Sequence, residues 1–378
     1  MPEKTGTEKI IEIRKQIDEL DAKLVESFTA RMGFAKEIGE YKRDNNLAIT
    51  DEAREDIIVK NALAKTPREL SGEVSILMRT LMALSREYQR NLMISGEPKL
   101  LPPPAPRKTR DVKCVYQGVP GAWSWQAAQK LFPDAKLSPV DYFEDVFTTV
   151  KNGGADYGVM PIENSRTGAI GETYDLLRKY GCYIVGRTWI DIRHCLMAKS
   201  DTDFSDIREV HSHSEGFGQC RNYLAGRPWD LMNCSNTAVA AKKVKSSADD
   251  RSAAIGSRKA AEIYGLSILQ ADIMDQADNR TSFVIIGREP EYDESSDHVS
   301  VTFSLAHRSG SLCEALMPYM AAGIDLARIE SRPASAGSFR FFAEIEGTIL
   351  DDVMLDTLRH AAAVTEYFEV IGCYSVTE

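Results

Sequence analysis

No stretch of about 18 apolar residues occurs in the 378-residue chain, so no helix is expected to span a bilayer. The N-terminus, MPEKTGTEKIIEIRK, lacks the apolar run of a signal peptide. Cysteine is sparse and unpatterned: seven residues, at 114, 182, 195, 220, 234, 313 and 373, with no C-x-x-C spacing. Such an odd, scattered set reads as reduced thiols of a cytosolic protein. Positive charge is also in deficit, with 46 Lys and Arg against 56 Asp and Glu and a net charge of −10. That balance argues against nucleic acid or an anionic membrane as partner. It leaves an anionic small molecule open, because a site needs only a few local cations. A dinucleotide fingerprint is missing, since G-F-G-Q-C-R (216–221) lacks the third glycine. Neither a cofactor nor a metal is expected, and the protein reads as soluble and cytoplasmic.

What is present is ordinary globular composition, 43% hydrophobic and 27% charged, in a chain too long for one core. Two or three domains are expected. Prolines at 98, 102, 103, 104 and 106 mark residues 95–110 as an extended linker. Before it, over residues 1–94, everything reads as helix. Apolar side chains recur at Ile10, Ile13, Ile17, Leu20, Leu24, Phe28, Ala35, Ile38 and Tyr41, with 3–4 spacing. Thr50 suits the N-cap of a second helix, and Pro67 the first turn of a third running to about Asn91. A first helix over residues 8–44 would be about 55 Å long, more than a domain of this size can cover. A partner chain, in a homodimer or higher homo-oligomer, is therefore expected.

After the linker, short apolar runs (VKCVYQG, YGVMPI, CYIVG, SFVIIG) alternate with helical stretches. Over residues 111–290 that alternation indicates βαβ units and a largely parallel sheet. From 297 to 378 the order strand, helix, strand, strand, helix, strand is ferredoxin-like.

The first helix carries three cations, Arg14, Arg31 and Lys42. Arg31 and Lys42 share a face about 16 Å apart, whereas Arg14 lies about 25 Å from Arg31. If all three serve one site, an antiparallel partner must deliver Arg14. Asp51, Arg54 and Glu55 fall on one face of the second helix, and Ser85 and Gln89 on one face of the third. Singly these are ordinary surface or capping residues. Together they suit a dicarboxylate bearing an ether and a hydroxyl. The string IRKQIDELDAKLVESFTARMGFAKEIGEYK, followed by D-E-A-R-E and S-R-E-Y-Q, resembles the all-helical chorismate mutase of bacterial bifunctional chorismate mutase/prephenate dehydratases, an intertwined dimer. The resemblance implies that Arg14 of the other protomer, Arg31 and Arg54 bind the substrate carboxylates. It assigns Lys42 and Gln89 to the ether oxygen and Glu55 to the ring hydroxyl, with Asp51 and Ser85 in support. A pericyclic rearrangement needs only a reactive conformer and charge stabilisation.

In the middle segment, G-V-P-G-A-W-S (118–124), P-I-E-N-S (161–165), H-S-H (211–213), S-N-T-A (235–238) and N-R-T-S-F (279–283) lie at strand ends or helix starts. Backbone N–H groups and short hydroxyls there commonly bind anions, although caps and turns use the same residues. Across 111–288 these strings resemble prephenate dehydratase, a two-lobed periplasmic-binding-protein-like fold with its site in the cleft. The resemblance makes Thr281 the catalytic hydroxyl, protonating the hydroxide that leaves with carbon dioxide. It places Ser124, Glu163, Asn164, Ser165, His213 and Thr237 around the cleft. Two departures stand out. Ser282 replaces the arginine that follows the threonine in the family, with Arg280 immediately before Thr281 as a substitute, although strand neighbours point to opposite faces. S-H-S-E (212–215) replaces S-H-P-Q.

The last segment resembles the ACT domain of this family, with phenylalanine-binding motifs at Gly310-Ser311-Leu312 and Glu330-Ser331-Arg332-Pro333. Feedback inhibition by phenylalanine, an allosteric effector, follows from that resemblance. Two other readings are a fusion of the mutase with a prephenate dehydrogenase, which needs the missing dinucleotide fingerprint, and a non-catalytic amino-acid-binding regulator.

Overall fold

The apolar 3–4 spacing at the N-terminus produces helices α1 (Gly6–Asp44), α2 (Glu52–Leu63) and α3 (Ser71–Met93). The computed structural model describes residues 6–93, 100–334 and 339–377, so part of the expected linker lies outside the described residues. Asp51, rather than Thr50, caps α2: its carboxylate accepts from the Arg54 N–H at 3.0 Å. A carboxylate also favours the positive end of the helix dipole. Pro67 does not open α3. It precedes a 3₁₀ turn, Arg68–Leu70, which leads into the helix at Ser71. Ala35, Val59, Met82 and Ala83 are buried among these helices. Residues 7–27 of α1 are all exposed, Ile10, Ile13, Ile17, Leu20 and Leu24 among them.

The three helices form one compact unit with Leu305–Ala321 and Asp356–Glu366, while Leu100–Ser304, Ala322–Leu355 and the chain from Tyr367 onward form a second. The strands of residues 297–378 fall in the second unit and most of their two helices in the first.

The second unit opens with a lobe of β1 (Lys113–Gln117), α4 (Trp123–Leu131), β2 (Lys136–Val140), α5 (Phe143–Lys151), β3 (Tyr157–Asn164), β4 (Gly168–Ala169), α6 (Gly171–Tyr180) and β5 (Tyr183–Asp191). A second lobe follows. It comprises β6 (His194–Ala198), β7 (Glu209–Ser212), α7 (Ser214–Gln219), α8 (Arg221–Leu224), β8 (Asp230–Asn233), α9 (Thr237–Ser246), β9 (Ser252–Ser257), α10 (Arg258–Tyr264) and β10 (Ser267–Gln270). The chain then returns to the first lobe as β11 (Arg280–Gly287). The C-terminal elements are β12 (His298–Ser304), α11 (Ser311–Ala322), β13 (Leu326–Pro333), β14 (Phe339–Glu346), α12 (Asp352–Ala363), β15 (Tyr367–Tyr374) and β16 (Val376–Thr377), the βαββαβ order expected.

One sheet runs β13-β14-β12-β15-β5-β11-β3-β1-β2, and the second lobe has its own, β10-β6-β9-β7-β8. The sheets are mixed, not largely parallel. β1 is parallel to β2 and β3, whereas β11 is antiparallel to both β3 and β5 because it re-enters from the other lobe. Its run from Thr281 to Gly287 is buried throughout, as expected of a central strand covered on both faces. Gly372 joins the C-terminal strands to β5: it pairs with Ile184, and a Cβ there would lie 2.3 Å from the Ile184 carbonyl oxygen. Phe342, Ile371 and Tyr374 accordingly share one core with Val115, Met160 and Val284. Among the described residues no helix is long and apolar enough to cross a membrane, and no cluster of His, Cys, Asp or Glu could hold a metal ion.

Candidate active sites

On the helical unit, Arg31 donates through Nη1 to the Leu81 carbonyl at 2.9 Å and to Ser85 Oγ, which itself donates to Leu81 O at 2.8 Å. Partial burial draws the Arg31 pKa down. Gln89 is buried and crosses close to α1 at Gly39, where a Cβ would stand 2.9 Å from Gln89 Cγ. A larger residue at 39 would push the amide out. Lys42 Nζ donates to the Ile49 carbonyl at 2.6 Å, folding the α1–α2 loop back on the helix end. Arg54 and Asp51 are exposed, joined by the cap bond, and Arg14 is exposed on α1.

Glu55 has a partner that sequence reasoning passed over. Arg86, only 5% exposed, binds Glu55 through Nη1 and Glu314 of α11 through Nη2 at 2.6 Å. Arg308 also binds Glu314. Burial alone would raise the Glu314 pKa, but the bonds from Arg308 and the nearby Arg86 hold it below its ordinary value. Arg86 lies inside the S-R-E-Y-Q string between two residues that were assigned, but nothing in spacing tells a buried clamp from a surface arginine.

The second site is a cavity of about 430 Å³ between the lobes of the α/β unit. Its wall includes Ser124, Asn164, His213, Thr237 and Thr281. The turn before α4 needs its glycines. Gly118 has φ +107°, and a Cβ there would come 3.0 Å from Asn236 Nδ2. Gly121 has φ +90° and packs as closely on Ala260 of the other lobe. Ser124 and Thr237 are buried in the first turns of α4 and α9, where free N–H groups favour an anion.

Thr281 is held by an oriented amide. Asn164 Oδ1 accepts from the N–H groups of Arg166 and Thr167 at 2.9 and 3.1 Å, which fixes the flip of the side chain. Its Nδ2 then donates to Thr281 Oγ1 at 2.9 Å and to Asn279 Oδ1 at 2.9 Å. Because the Thr281 oxygen accepts here, its own O–H is left to point elsewhere. The amide chain continues: Asn279 Nδ2 donates to Gln219 Oε1 at 2.8 Å, and His194 Nε2 contacts the same oxygen at 2.8 Å. With that acceptor, His194 carries its proton on Nε2 and leaves Nδ1 bare, buried and without a partner. Burial lowers the His194 pKa, and the bond to Gln219 only partly offsets it.

Three expected cleft residues lie elsewhere. Glu163 is turned to the opposite face of β3, where Arg328 binds it at 2.9 Å. Ser165 accepts from the Arg280 N–H at 2.9 Å and donates to the Asp278 carbonyl, pinning the strand end. Arg280 pairs with Asp191 at 3.0 Å on the surface beside Trp189, away from the cavity. No Lys or Arg stands among the cavity's lining residues. Glu215, Gln219, His194, Trp123 and Gln117 do line it, and none was assigned from the sequence. Glu215 and Gln219 follow His213 on α7, so helical spacing from the flagged histidine was the available signal.

In the C-terminal segment, Gly310 adopts φ +85° and Ser311 Oγ donates to the Ala306 and Arg308 carbonyls of its own turn. Leu312, Ser331 and Pro333 are exposed, and Glu330 is half-buried. Arg332 packs over Gly171, where a Cβ would lie 2.2 Å from its guanidinium, and reaches Asp175 at 3.4 Å.

Residues 114–291 match the family described as prephenate dehydratase, and residues 13–90 that of chorismate mutase type II. The bifunctional chorismate mutase/prephenate dehydratase of Aquifex aeolicus (strain VF5) is 31% identical over 372 residues, covering 97% of this chain and 98% of its own. Arogenate dehydratase/prephenate dehydratase 2 of Arabidopsis thaliana is 36% identical over 278 residues, 70% of this chain and 73% of the relative. Among solved structures, prephenate dehydratase from Arthrobacter aurescens in complex with L-Phe superposes with a TM-score of 0.65 at 26% identity, over 70% of this chain and 90% of that one. With both family matches in order along the sequence and a relative aligned nearly end to end, the chain belongs to the bifunctional chorismate mutase/prephenate dehydratases, an isomerase and a lyase on one polypeptide.

Proposed function

We propose that Thr281 is the acid of the dehydratase step and that the Arg31, Lys42, Glu55 and Gln89 cluster carries the mutase step. The observation behind the first assignment is the fixed Asn164 amide donating to Thr281 Oγ1 at 2.9 Å. As carbon dioxide leaves, the C–C electron pair enters the ring and the C–O pair departs with hydroxide. The free Thr281 O–H donates to that hydroxide, so water and phenylpyruvate result, and the Thr281 oxygen regains its proton from solvent. The substrate carboxylates are taken by the N–H groups at the starts of α4 and α9, with Ser124, Thr237 and His213 alongside.

In the mutase, Arg31 and Arg54 take the chorismate carboxylates with Arg14 of a second copy. Lys42 and Gln89 face the ether oxygen, Glu55 faces the ring hydroxyl, and Asp51 and Ser85 hold their neighbours. The exposed apolar face of residues 7–27 supports an intertwined dimer in which the partner covers that face. The motifs Gly310-Ser311-Leu312 and Glu330-Ser331-Arg332-Pro333 belong to an ACT-type sensor of phenylalanine, a reading supported by the L-Phe complex of the Arthrobacter dehydratase. The seven free thiols, five of them buried, suit a cytoplasmic enzyme.

The test is to supply chorismate and follow prephenate and phenylpyruvate separately. Phenylpyruvate formed without added nucleotide supports the dehydratase, and Thr281→Ala should abolish it while prephenate still accumulates. Prephenate as the sole product of the unaltered chain would defeat the dehydratase assignment. Titration calorimetry with phenylalanine and with tyrosine tests the sensor, and no heat up to millimolar phenylalanine would overturn it.

A further inference from the structure

Behind the cleft, on the face of the sheet opposite Thr281, three charged side chains gather around one guanidinium. Arg187 of β5 is 6% exposed, and Ser282, on which its Nε donates at 2.6 Å, is fully buried. Its Nη1 binds Glu344 of β14, and its Nη2 lies 3.5 Å from Glu163 of β3. Glu163 is bound in turn by Arg328 of β13 at 2.9 Å. A guanidinium is suited to this task because it offers several donors in a fixed plane.

The two residues that Arg187 contacts on β11 and β3 are the chain neighbours of the two that matter in the cleft. Ser282 follows Thr281, and Glu163 precedes Asn164. Moreover, Thr281 pairs with Asn164 and Ser282 with Glu163, but Phe283 pairs with Pro161, so β3 carries a bulge at this point. A bulge leaves one residue of the strand unpaired and disrupts the ladder locally. Arg187 bridges both strands across it.

We infer that Arg187 is a positioning residue for the dehydratase reaction, holding the β3–β11 bulge so that Asn164 presents Thr281 Oγ1 to the substrate. Glu344 and Arg328 then make strands β14 and β13 part of the support of that site, because each fixes one member of the clamp from the C-terminal segment. This inference rests on the reading of Thr281 as the acid.

The decisive measurement is dehydratase kinetics of the full chain with Arg187→Lys, which keeps the charge but cannot reach three partners at once. A displacement of the hydroxyl by about 1 Å can cost as much as 100-fold, so kcat should fall about tenfold or more. KM for prephenate and mutase activity should hold, a split that a merely structural role would not give. Ser282→Ala, which deletes one buried hydroxyl, should lower kcat in the same direction. The double variant should lose no more than the worse single, since both act through one clamp. If Arg187→Lys does not fold, Ser282→Ala decides alone. Wild-type kcat in folded variants overturns the inference. Thr281→Ala serves as the control: if it keeps dehydratase activity the assignment of the acid has failed, whereas if it abolishes activity and the clamp variants do not lower it, only the clamp has failed.

Discussion

The Asn164 side chain does its work by having a defined front and back. Two backbone N–H groups claim its oxygen, so the nitrogen alone faces Thr281 and Asn279. Asn164→Asp keeps the shape but turns that donor into an acceptor. The Thr281 hydroxyl would then swing its proton onto the carboxylate and away from substrate. We expect dehydratase kcat to fall on the order of 100-fold with mutase activity intact, measured on the two substrates separately. His194 gives a pH signature at the same scale. Its folded pKa lies below the ordinary 6.5, so the native state binds fewer protons than the unfolded one. The stability it contributes is complete above that ordinary value and is lost as pH falls toward the folded pKa. His211, also lowered mainly by burial, acts in the same sense. Melting curves between pH 7 and 5 should therefore steepen the loss of stability, and His194→Gln should flatten part of it while His211 keeps the rest.

Between elements, Arg86 ties α3 to both α2 and α11 through two carboxylates. Removing one partner of a buried ion pair leaves the others uncompensated, typically at a cost of about 3–5 kcal/mol. Arg86→Met should lower the urea midpoint of the helical unit and reduce mutase activity, read against an unchanged dehydratase assay. Gly372→Ala would force a methyl onto the Ile184 carbonyl and part β15 from β5, an overpacking cost of about 1–3 kcal/mol measurable by thermal melting. The helices were legible in the sequence because a 3–4 apolar spacing has one structural meaning. The strands were legible too, but not their directions: that β11 runs antiparallel between β3 and β5 follows from a return across two lobes that no local pattern records. Thr281, Asn164, Ser124, His213 and Thr237 could be placed near one cleft only through the resemblance of their strings to prephenate dehydratase, because strand ends and helix starts with such residues are as often caps and turns. Glu163 could not be placed correctly, because P-I-E-N-S reads as one cluster while strand alternation and the bulge turn Pro161 and Asn164 to the cleft and Glu163 behind it. Arg280 failed for the same reason of facing: it pairs with Asp191 on the surface beside Trp189.

At the scale of the whole molecule, one chain leaves the α1 face from residue 7 to 27 bare, and Arg14 stands about 25 Å along the helix from Arg31. If a second copy completes each mutase site, Arg14→Ala and Arg31→Ala chains should each be inactive alone. Mixed after unfolding and refolded together, they should recover up to about a quarter of wild-type activity if half the chains form mixed dimers with one intact site each. No recovery, with dimers shown by sedimentation, would place both arginines in one protomer's site. The returning strand has a further consequence, for the order in which the protein is made. β11 sits between β5 and β3, yet the ribosome delivers it only after the entire second lobe. Until then a nascent chain exposes two open strand edges, templates for association with other chains. Pairing across so long a separation, 117 positions from Asn164 to Thr281, is slow to form. The first lobe therefore cannot mature as it emerges, and the strand that seals its sheet is the one that brings Thr281 into the cleft.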